Sequence, residues 1–410
     1  FRSASQTEGG ALSNADNTSD TNKPVSTATQ TALNAKAPLA SPAFTGTPTG
    51  ITKTHVGLAN VDNTSDLSKP VSTSTQTALD GKTSKDTLFF NAKDYGALGN
   101  GSTNDATAIA SAITAAASGN GIVLLTGNHA ISSTITVPSN VEIRGTAKST
   151  VIVPAGSTFP AFKMDAVSNS KITDITVVKA AGAAAGGGSN AVYVVGNADN
   201  VVVRNVTATD LHSAFYVAGQ NGAIAGTVSK ITFDSCRANS SIQYGFWFDD
   251  VDGVDITGCK SVGSGLDGIK LRKRVKNVSI VGGYYTGATG GDGLDAYAGG
   301  DTFSIVGATF SGNSINGITV KNDDLNRTDP SDYGYVRNIT ITSVKTCNNG
   351  GNGVTLHRSS GNPDDATEPL TAHATVTGLI SYGNTNYGIY LQGRQLTVIG
   401  AQCHRNGLDG

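Results

Sequence analysis

Twelve residues of this chain share a position that could do chemistry. Trp247, Lys270, Asp295, Thr319, Thr355 and Tyr390 each stand two places after a glycine in a recurring short signature. Asp249, Arg272, Tyr297, Lys321, His357 and Gln392 stand four places after it. Aromatics, carboxylates and cations in one patch are the mixture an oligosaccharide groove needs, because sugar rings stack on aromatic faces and their hydroxyls bond to Asp, Arg and Lys. Breaking a glycosidic bond takes two carboxyl groups, about 5–5.5 Å apart for retention or about 6.5–9.5 Å for inversion. Asp295 is the first candidate, because the repeat places Lys270 and Thr319 beside it. Asp249 is its candidate partner. It lies two repeats away, on the order of 10 Å at about 4.8 Å per repeat, which favours inversion. Asp250, Asp323 and Asp324 sit at the adjoining corner as alternative partners.

Trp247, the only tryptophan, is the expected sugar platform, with Lys270, Arg272, Tyr297, Lys321, His357 and Arg358 as further substrate contacts. Lys270, Arg272, Lys273, Arg274 and Lys276 form a basic cluster. It reads either as a solvated corner or as a recognition site for an acidic glycan. With Tyr297 or His357 the same cluster would fit a lyase or epimerase, in which a cation stabilises an enolate while a base takes a proton. No dense Asp/Glu cluster marks a calcium site, so neither metal nor cofactor is implied. Cys236, Cys259, Cys347 and Cys403 form no CxxC pair. The first two fall nine residues before a signature glycine and read as stacked, reduced thiols near a core.

The element that positions these residues is the repeat itself. It reads Tyr244-Gly245-Phe246-Trp247-Phe248, Asp267-Gly268-Ile269-Lys270-Leu271, Asp292-Gly293-Leu294-Asp295-Ala296, Asn316-Gly317-Ile318-Thr319-Val320, Asn352-Gly353-Val354-Thr355-Leu356 and Tyr387-Gly388-Ile389-Tyr390-Leu391. The glycines step by 23, 25, 24, 36 and 35 residues. Such a period marks a solenoid whose units bury their apolar faces only by stacking. Each unit reads as a turn glycine and an alternating strand, so the first residue after the glycine points inward and the next outward. The expected fold is all-β, a right-handed single-stranded parallel β-helix, with handedness taken from the crossover rule. Extra residues fall in 218–227, 323–335 and 358–370, all after the same strand. Insertions gathered on one side of a solenoid border its binding face.

Composition narrows the classes. The 410 residues include 51 Gly and only 15% charged residues, which suits a turn-rich β architecture. A net charge of −2 gives no basic footprint for nucleic acid. No apolar run approaches about 18 residues, so membrane insertion is not expected. Phe1-Arg2-Ser3 opens no signal peptide. The ending Asn406-Gly407-Leu408-Asp409-Gly410 resembles the start of another coil, so the expectation is a chain cut inside the solenoid.

Residues 1–86 are polar and nearly free of aromatics. They hold a second repeat, LSNADNTSDTNKPVSTATQTALN (12–34) against LANVDNTSDLSKPVSTSTQTALD (58–80), with KAPLASPAFTGTPTG between the copies. Thr27–Leu33 and Thr73–Leu79 read as one or two helical turns each. This module resembles the repeats of bacteriophage tail fibres and tailspikes. The resemblance implies an extended stalk, a homotrimer, attachment to other tail or baseplate proteins, and a place in the virion after synthesis in the host cytoplasm.

A new domain opens at Phe89 with Asp94-Tyr95-Gly96-Ala97-Leu98-Gly99-Asn100-Gly101-Ser102-Thr103-Asn104-Asp105 and a helix over 105–117, N-capped by Asn104 or Asp105. The segment resembles the opening of pectate-lyase-like β-helices, where it caps the first coil over 87–145. It differs at Asn100 and Asn104, where Asp is usual, positions that serve the turn and the cap. Coils then fill 146–410. Together the resemblances imply a depolymerase of bacterial surface polysaccharide, with hydrolysis ahead of lyase chemistry, and a non-catalytic adhesin as the third reading.

Overall fold

The computed structural model describes residues 88–219, 228–297, 301–321, 337–357 and 371–408, with short stretches before them, the longest at 24–36 and 71–78. The chain divides into two compact units, Phe1–Gln76 and Thr77–Gly410. In the first, Thr27–Asn34 is a helix whose Ser26 Oγ accepts from the Thr29 amide at 3.1 Å. None of its residues is buried, so its order rests on local caps rather than on packing.

In the second unit, the helix Ala106–Ala117 turns Ile109, Ala112, Ile113 and Ala116 inward onto the strands Phe89–Asn91 and Ile122–Ala130. Covering the first coil this way hides strand edges that would otherwise pair with other chains. Asp105 stands at the N-cap but makes no cap bond. Its carboxylate accepts instead from the amides of Leu98 and Gly99, both at 2.9 Å, and from His129 Nδ1 at 2.8 Å. Asn104 Oδ1 takes the Ala106 amide at 3.2 Å, and Asn100 Oδ1 takes the amides of Ser102 and Thr103. The acid therefore pins the loop before the helix, and the two asparagines serve the cap and the turn.

From Ile135 onward, parallel strands stack coil on coil, giving a β-helix. Among the described residues, one face is a ten-stranded sheet built from the signature strands. It includes Val192–Val195, Phe215–Ala218, Phe246–Asp249, Ile269–Arg272, Leu294–Tyr297, Ile318–Lys321, Val354–His357 and Ile389–Leu391. The other strands form a 22-stranded sheet that bends through the remaining faces. Longer strands such as Val251–Thr257 lead there into short ones such as Lys260–Val262. Single left-handed residues make that bend in successive coils, among them Ser235, Gly258, Gly307 and Ser343.

The signature glycines are not turn glycines of this kind: none of the six has a positive φ. They are needed for close approach. A Cβ on Gly245, Gly268, Gly293 or Gly317 would meet the carbonyl oxygen of the next signature glycine at 2.6 Å. The core inside the coils is aromatic and branched. Phe215, Phe233, Phe246 and Phe248 pack with ring centroids 4.9–5.6 Å apart. An asparagine ladder, buried at Asn313, Asn349 and Asn384 and ending at the half-buried Asn406, joins four coils by side-chain hydrogen bonds of 2.8–3.0 Å. Cys236, Cys259 and Cys347 are buried free thiols and Cys403 is half-buried. The Cys236 amide donates to Cys259 Sγ at 3.3 Å. No helix of the described residues is long and apolar enough to cross a membrane.

Candidate active site

The strand register carries the two outward columns. Residues Tyr193, Tyr216, Trp247, Lys270, Asp295, Thr319, Thr355 and Tyr390 are successive partners down the sheet. Asp249, Arg272, Tyr297, Lys321 and His357 form the second column. Lys270 and Thr319 thus flank Asp295. Asp323, Asp324 and Arg358 lie outside the described residues, as does the side chain of Tyr297. The three insertions, apart from Ala218 and Gly219, also lie outside them.

A third column, the residue just before each signature glycine, holds what the outward columns missed. It reads Tyr244, Asp267, Asp292, Asn316, Asn352 and Tyr387. The four Asp and Asn side chains here each accept from the backbone one coil further on. Asp267 Oδ1 takes the Asp292 amide at 2.8 Å, Asp292 Oδ1 the Asn316 amide at 2.6 Å, and Asn316 Oδ1 the Asn352 amide at 2.7 Å. The same turn brings this side chain against the residue three places later. Asn316 Nδ2 meets Thr319 Oγ1 at 3.0 Å, Asn352 Nδ2 meets Thr355 Oγ1 at 2.9 Å, and Asp267 Oδ2 meets Lys270 Nζ at 3.3 Å. In those three coils the pair is complementary. In the coil between them it is Asp292 and Asp295, two carboxyl groups.

Asp267, Asp292 and Asp295 are all buried, and one oxygen of each lies within 4.8 Å of the others. This spacing is well below the about 6.5–9.5 Å that leaves room for water between an inverting pair, and nearer the about 5–5.5 Å of a retaining pair. It replaces the wide Asp249–Asp295 pairing expected from the sequence. It also supplies the dense acidic cluster that the sequence did not reveal. Lys270 reaches into it: its ammonium donates to Asp295 Oδ2 as well as pairing with Asp267. Lys321 Nζ approaches Asp295 Oδ1 at 3.2 Å, although that buried oxygen accepts no hydrogen bond.

Burial, then the neighbouring Asp295 charge, push the Asp292 carboxyl up to about 7. Burial also raises Asp267, against the pull of Lys270. Burial pulls Lys270 down, but Asp295 and Asp267 outweigh it and hold the ammonium above its usual range. The cluster therefore holds one carboxyl, Asp292, poised to exchange its proton near neutrality, beside two acids that face lysines. That division is what acid–base catalysis needs.

Asp249 has a different environment. Arg272 grips it with both arms, Nε to Oδ1 at 2.9 Å and Nη2 to Oδ2 at 2.6 Å. Trp247 Nε1 adds a bond to Oδ1 at 2.8 Å, and Tyr216 OH one to Oδ2 at 3.3 Å. Four donors leave this carboxylate little capacity to move a proton. Trp247 is equally committed. Tyr216, one coil before, stacks on it with centroids 4.0 Å apart, and the Arg272 guanidinium, one coil after, lies 5.0 Å over the ring. With both faces covered, the indole offers its edge rather than the expected sugar platform.

The basic cluster is likewise spent on the preceding coil. Arg274 pairs with Asp250 at 2.7 Å and Lys276 with Asp252 at 3.1 Å, alongside Arg272 with Asp249. Three of its five cations are thus paired with aspartates of the coil before, which fits the reading of a solvated corner. Two hollows flank the carboxylates on this face. One, of about 420 Å³, is lined by Tyr193, Tyr216, Trp247 and Arg272 among others. The other, of about 290 Å³, is lined by Thr355, His357, Tyr387 and Tyr390 with three asparagines.

Residues 89–279 match a family model described as rhamnogalacturonase A/epimerase, pectate lyase-like. No curated protein matches by sequence. Among solved structures the chain is similar to the Dettilon tailspike protein, at 16% identity over 78% of this chain and 64% of that one, with a TM-score of 0.50. It is similar to tailspike protein 2 of an Escherichia coli O157:H7 bacteriophage, at 15% identity over 76% and 42%, with a TM-score of 0.50. The A-module of the Azotobacter vinelandii mannuronan C-5 epimerase AlgE6 aligns at 18% identity over 77% and 99%, with a TM-score of 0.48. The chain spans less than two thirds of each of the two tailspikes. Its fold is a parallel β-helix similar to those of the two tailspikes, and the pectate-lyase-like match covers residues 89–279.

Proposed function

We propose that this protein is the glycan-cleaving part of a phage tailspike. It acts on a bacterial surface polysaccharide by glycoside hydrolysis at Asp267, Asp292 and Asp295. The observation that carries the reading is the Asp292–Asp295 pair, set where adjacent coils place an Asn–Thr or Asp–Lys pair. Two buried carboxyl groups facing each other destabilise the fold, and such local conflicts mark functional sites. Asp292 donates its proton to the departing glycosidic oxygen. Asp295, balanced by Lys270 and Lys321, attacks the anomeric carbon directly, and water then releases the sugar from Asp295 with Asp292 acting as base. Asp267 holds Lys270 in place. Asp249 and Arg272 position the aromatic stack rather than the bond to be broken. The glycan lies along the helix axis, between the hollow beside Trp247 and the hollow beside His357. Seven coil steps from Tyr193 to Tyr390 give roughly 34 Å at about 4.8 Å each, enough for a chain cut internally. The tail-fibre-like repeats support a homotrimer joined to tail or baseplate proteins in the virion.

The test is to incubate the protein with purified capsule, O-antigen and exopolysaccharide preparations, following polymer mass and new reducing ends. Loss of mass with new reducing ends and no unsaturated product supports hydrolysis. Ultraviolet-absorbing unsaturated uronate shows a lyase, and binding without loss of mass shows an adhesin. Either of the last two overturns the assignment.

A further inference from the structure

The hollow beside Trp247 carries polar groups that no other described residue uses. It is walled by the edges of the stacked rings of Tyr193, Tyr216 and Trp247, whose centroids are 5.1 and 4.0 Å apart. Facing them are the Gln243 amide and the His212 imidazole, both half-buried. Among the described residues neither side chain makes a hydrogen bond, although the backbones of both are tied: Gln243 N donates to His212 O at 2.7 Å and His212 N to Ser189 O at 3.0 Å. Arg272, the one fixed charge in the wall, is already bound to Asp249 through two hydrogen bonds. Asn190 is buried, and its Nδ2 is spent on Ser213 O at 2.7 Å.

We propose that this hollow is a subsite for one or two uncharged sugar rings of the polysaccharide, read by Gln243 and His212 and set beside Trp247, two coils from Asp295. The inference rests on the glycan-cleaving reading above and adds the chemical class of the sugar. An amide and an imidazole each donate and accept, which matches hydroxyl groups. Burial holds His212 below its usual range, so the ring is neutral at pH 7. A uronate carboxylate would enter a wall whose one cation is already paired with Asp249, and would gain little charge compensation for the hydration it loses. The volume of about 420 Å³ lies within the range of small-ligand sites and suits one or two sugar rings.

The chain's single tryptophan lines this wall, so its fluorescence reports on occupancy of this hollow. The experiment titrates the Asp295→Asn variant, which separates binding from cleavage, with neutral disaccharides of hexoses and 6-deoxyhexoses, and with digalacturonate as the charged probe. The expected result is a saturable emission change with at least one neutral disaccharide and none with digalacturonate at equal concentration. Gln243→Ala and His212→Ala should each weaken that binding by roughly tenfold, about the worth of one hydrogen bond, with unchanged thermal melts. No saturable change with any neutral probe, or equal binding of digalacturonate, overturns the proposal. Saturable neutral binding by a protein that never lowers polymer mass upholds the subsite and sinks only the hydrolase. Cleavage without any emission change does the reverse.

Discussion

Asp249 and Asp295 sit two coils apart on the same sheet face, both outward in the strand alternation and both buried. From the sequence they look like a matched pair. In the structure they are opposites. Asp249 accepts from Arg272, Trp247 and Tyr216, so both its oxygens are occupied. Asp295 keeps one oxygen without a hydrogen bond and faces two other acids across less than 5 Å. A buried carboxylate with all its partners is a strut, whereas one crowded by its own kind is kept at a cost and has work to do.

The sharpest way to break the comparison is to neutralise each acid and ask what is lost. Asp295→Asn and Asp292→Asn should each lower kcat on polysaccharide by about 10²–10⁴-fold, the usual worth of a positioned acid or base. Asp249→Asn keeps an acceptor for Trp247 and should lower kcat far less. Initial rates of reducing-end release at saturating substrate decide between them. If Asp249→Asn is as inactive as Asp295→Asn while its melt is unchanged, the strut assignment is wrong.

The next effect is on stability and runs the other way. Asp249→Ala strands Arg272, a half-buried guanidinium stacked on Trp247. Breaking a buried ion pair from one side costs about 3–5 kcal/mol, and the partial exposure of Arg272 places this case at or below the lower end. The thermal midpoint should fall clearly, and replacing Arg272 by Met in the same chain should restore part of the loss. A single variant that melts like the parent would contradict the pairing.

A smaller, pH-dependent effect belongs to Asp292. Its folded value near 7 lies above the ordinary 3.8, so the folded chain holds this proton more tightly than the unfolded one. Below about pH 4 both states are protonated and nothing is lost. Between about pH 4 and 7 the unfolded chain releases the proton first, so stability falls with rising pH, and above 7 the loss is constant. Asp292→Asn should therefore melt above the parent at pH 8, with the difference vanishing near pH 4. Parent activity should decline as pH rises through about 7, where the acid is lost.

How much of this the sequence revealed follows from what repeats and what does not. The glycine period, the inward apolar residue and the outward columns are local regularities, and the β-helix register follows from them. Asp295, Lys270 and Lys321 come together because column position alone sets their neighbours. Asp267 and Asp292 escaped because a residue before a turn glycine reads as a turn former. The signal was present: that column is acidic in only two consecutive coils, and one of them carries a second acid three residues on. The roles of Asp249 and Trp247 were illegible for another reason. Whether an outward side chain is open or spent depends on rotamers reaching across coils, and neither spacing nor period encodes those.

The smallest effect tests the basic cluster. Arg274 is a partly exposed guanidinium bound to Asp250, with N–O distances of 3.1 and 2.7 Å. Surface pairs of this kind contribute about 0–1 kcal/mol, so Arg274→Ala should shift the melt little. If the cluster instead recognised an acidic glycan, removing one cation would weaken anionic polymer binding and flatten its salt dependence. The contrast with Lys270 makes the experiment informative. Lys270 also pairs with aspartates, but its partners are the acids that outnumber it, so its charge is part of the reacting set. Lys270→Met should abolish cleavage while Arg274→Ala leaves it intact, because a cation already neutralised one to one has no charge left to lend a substrate.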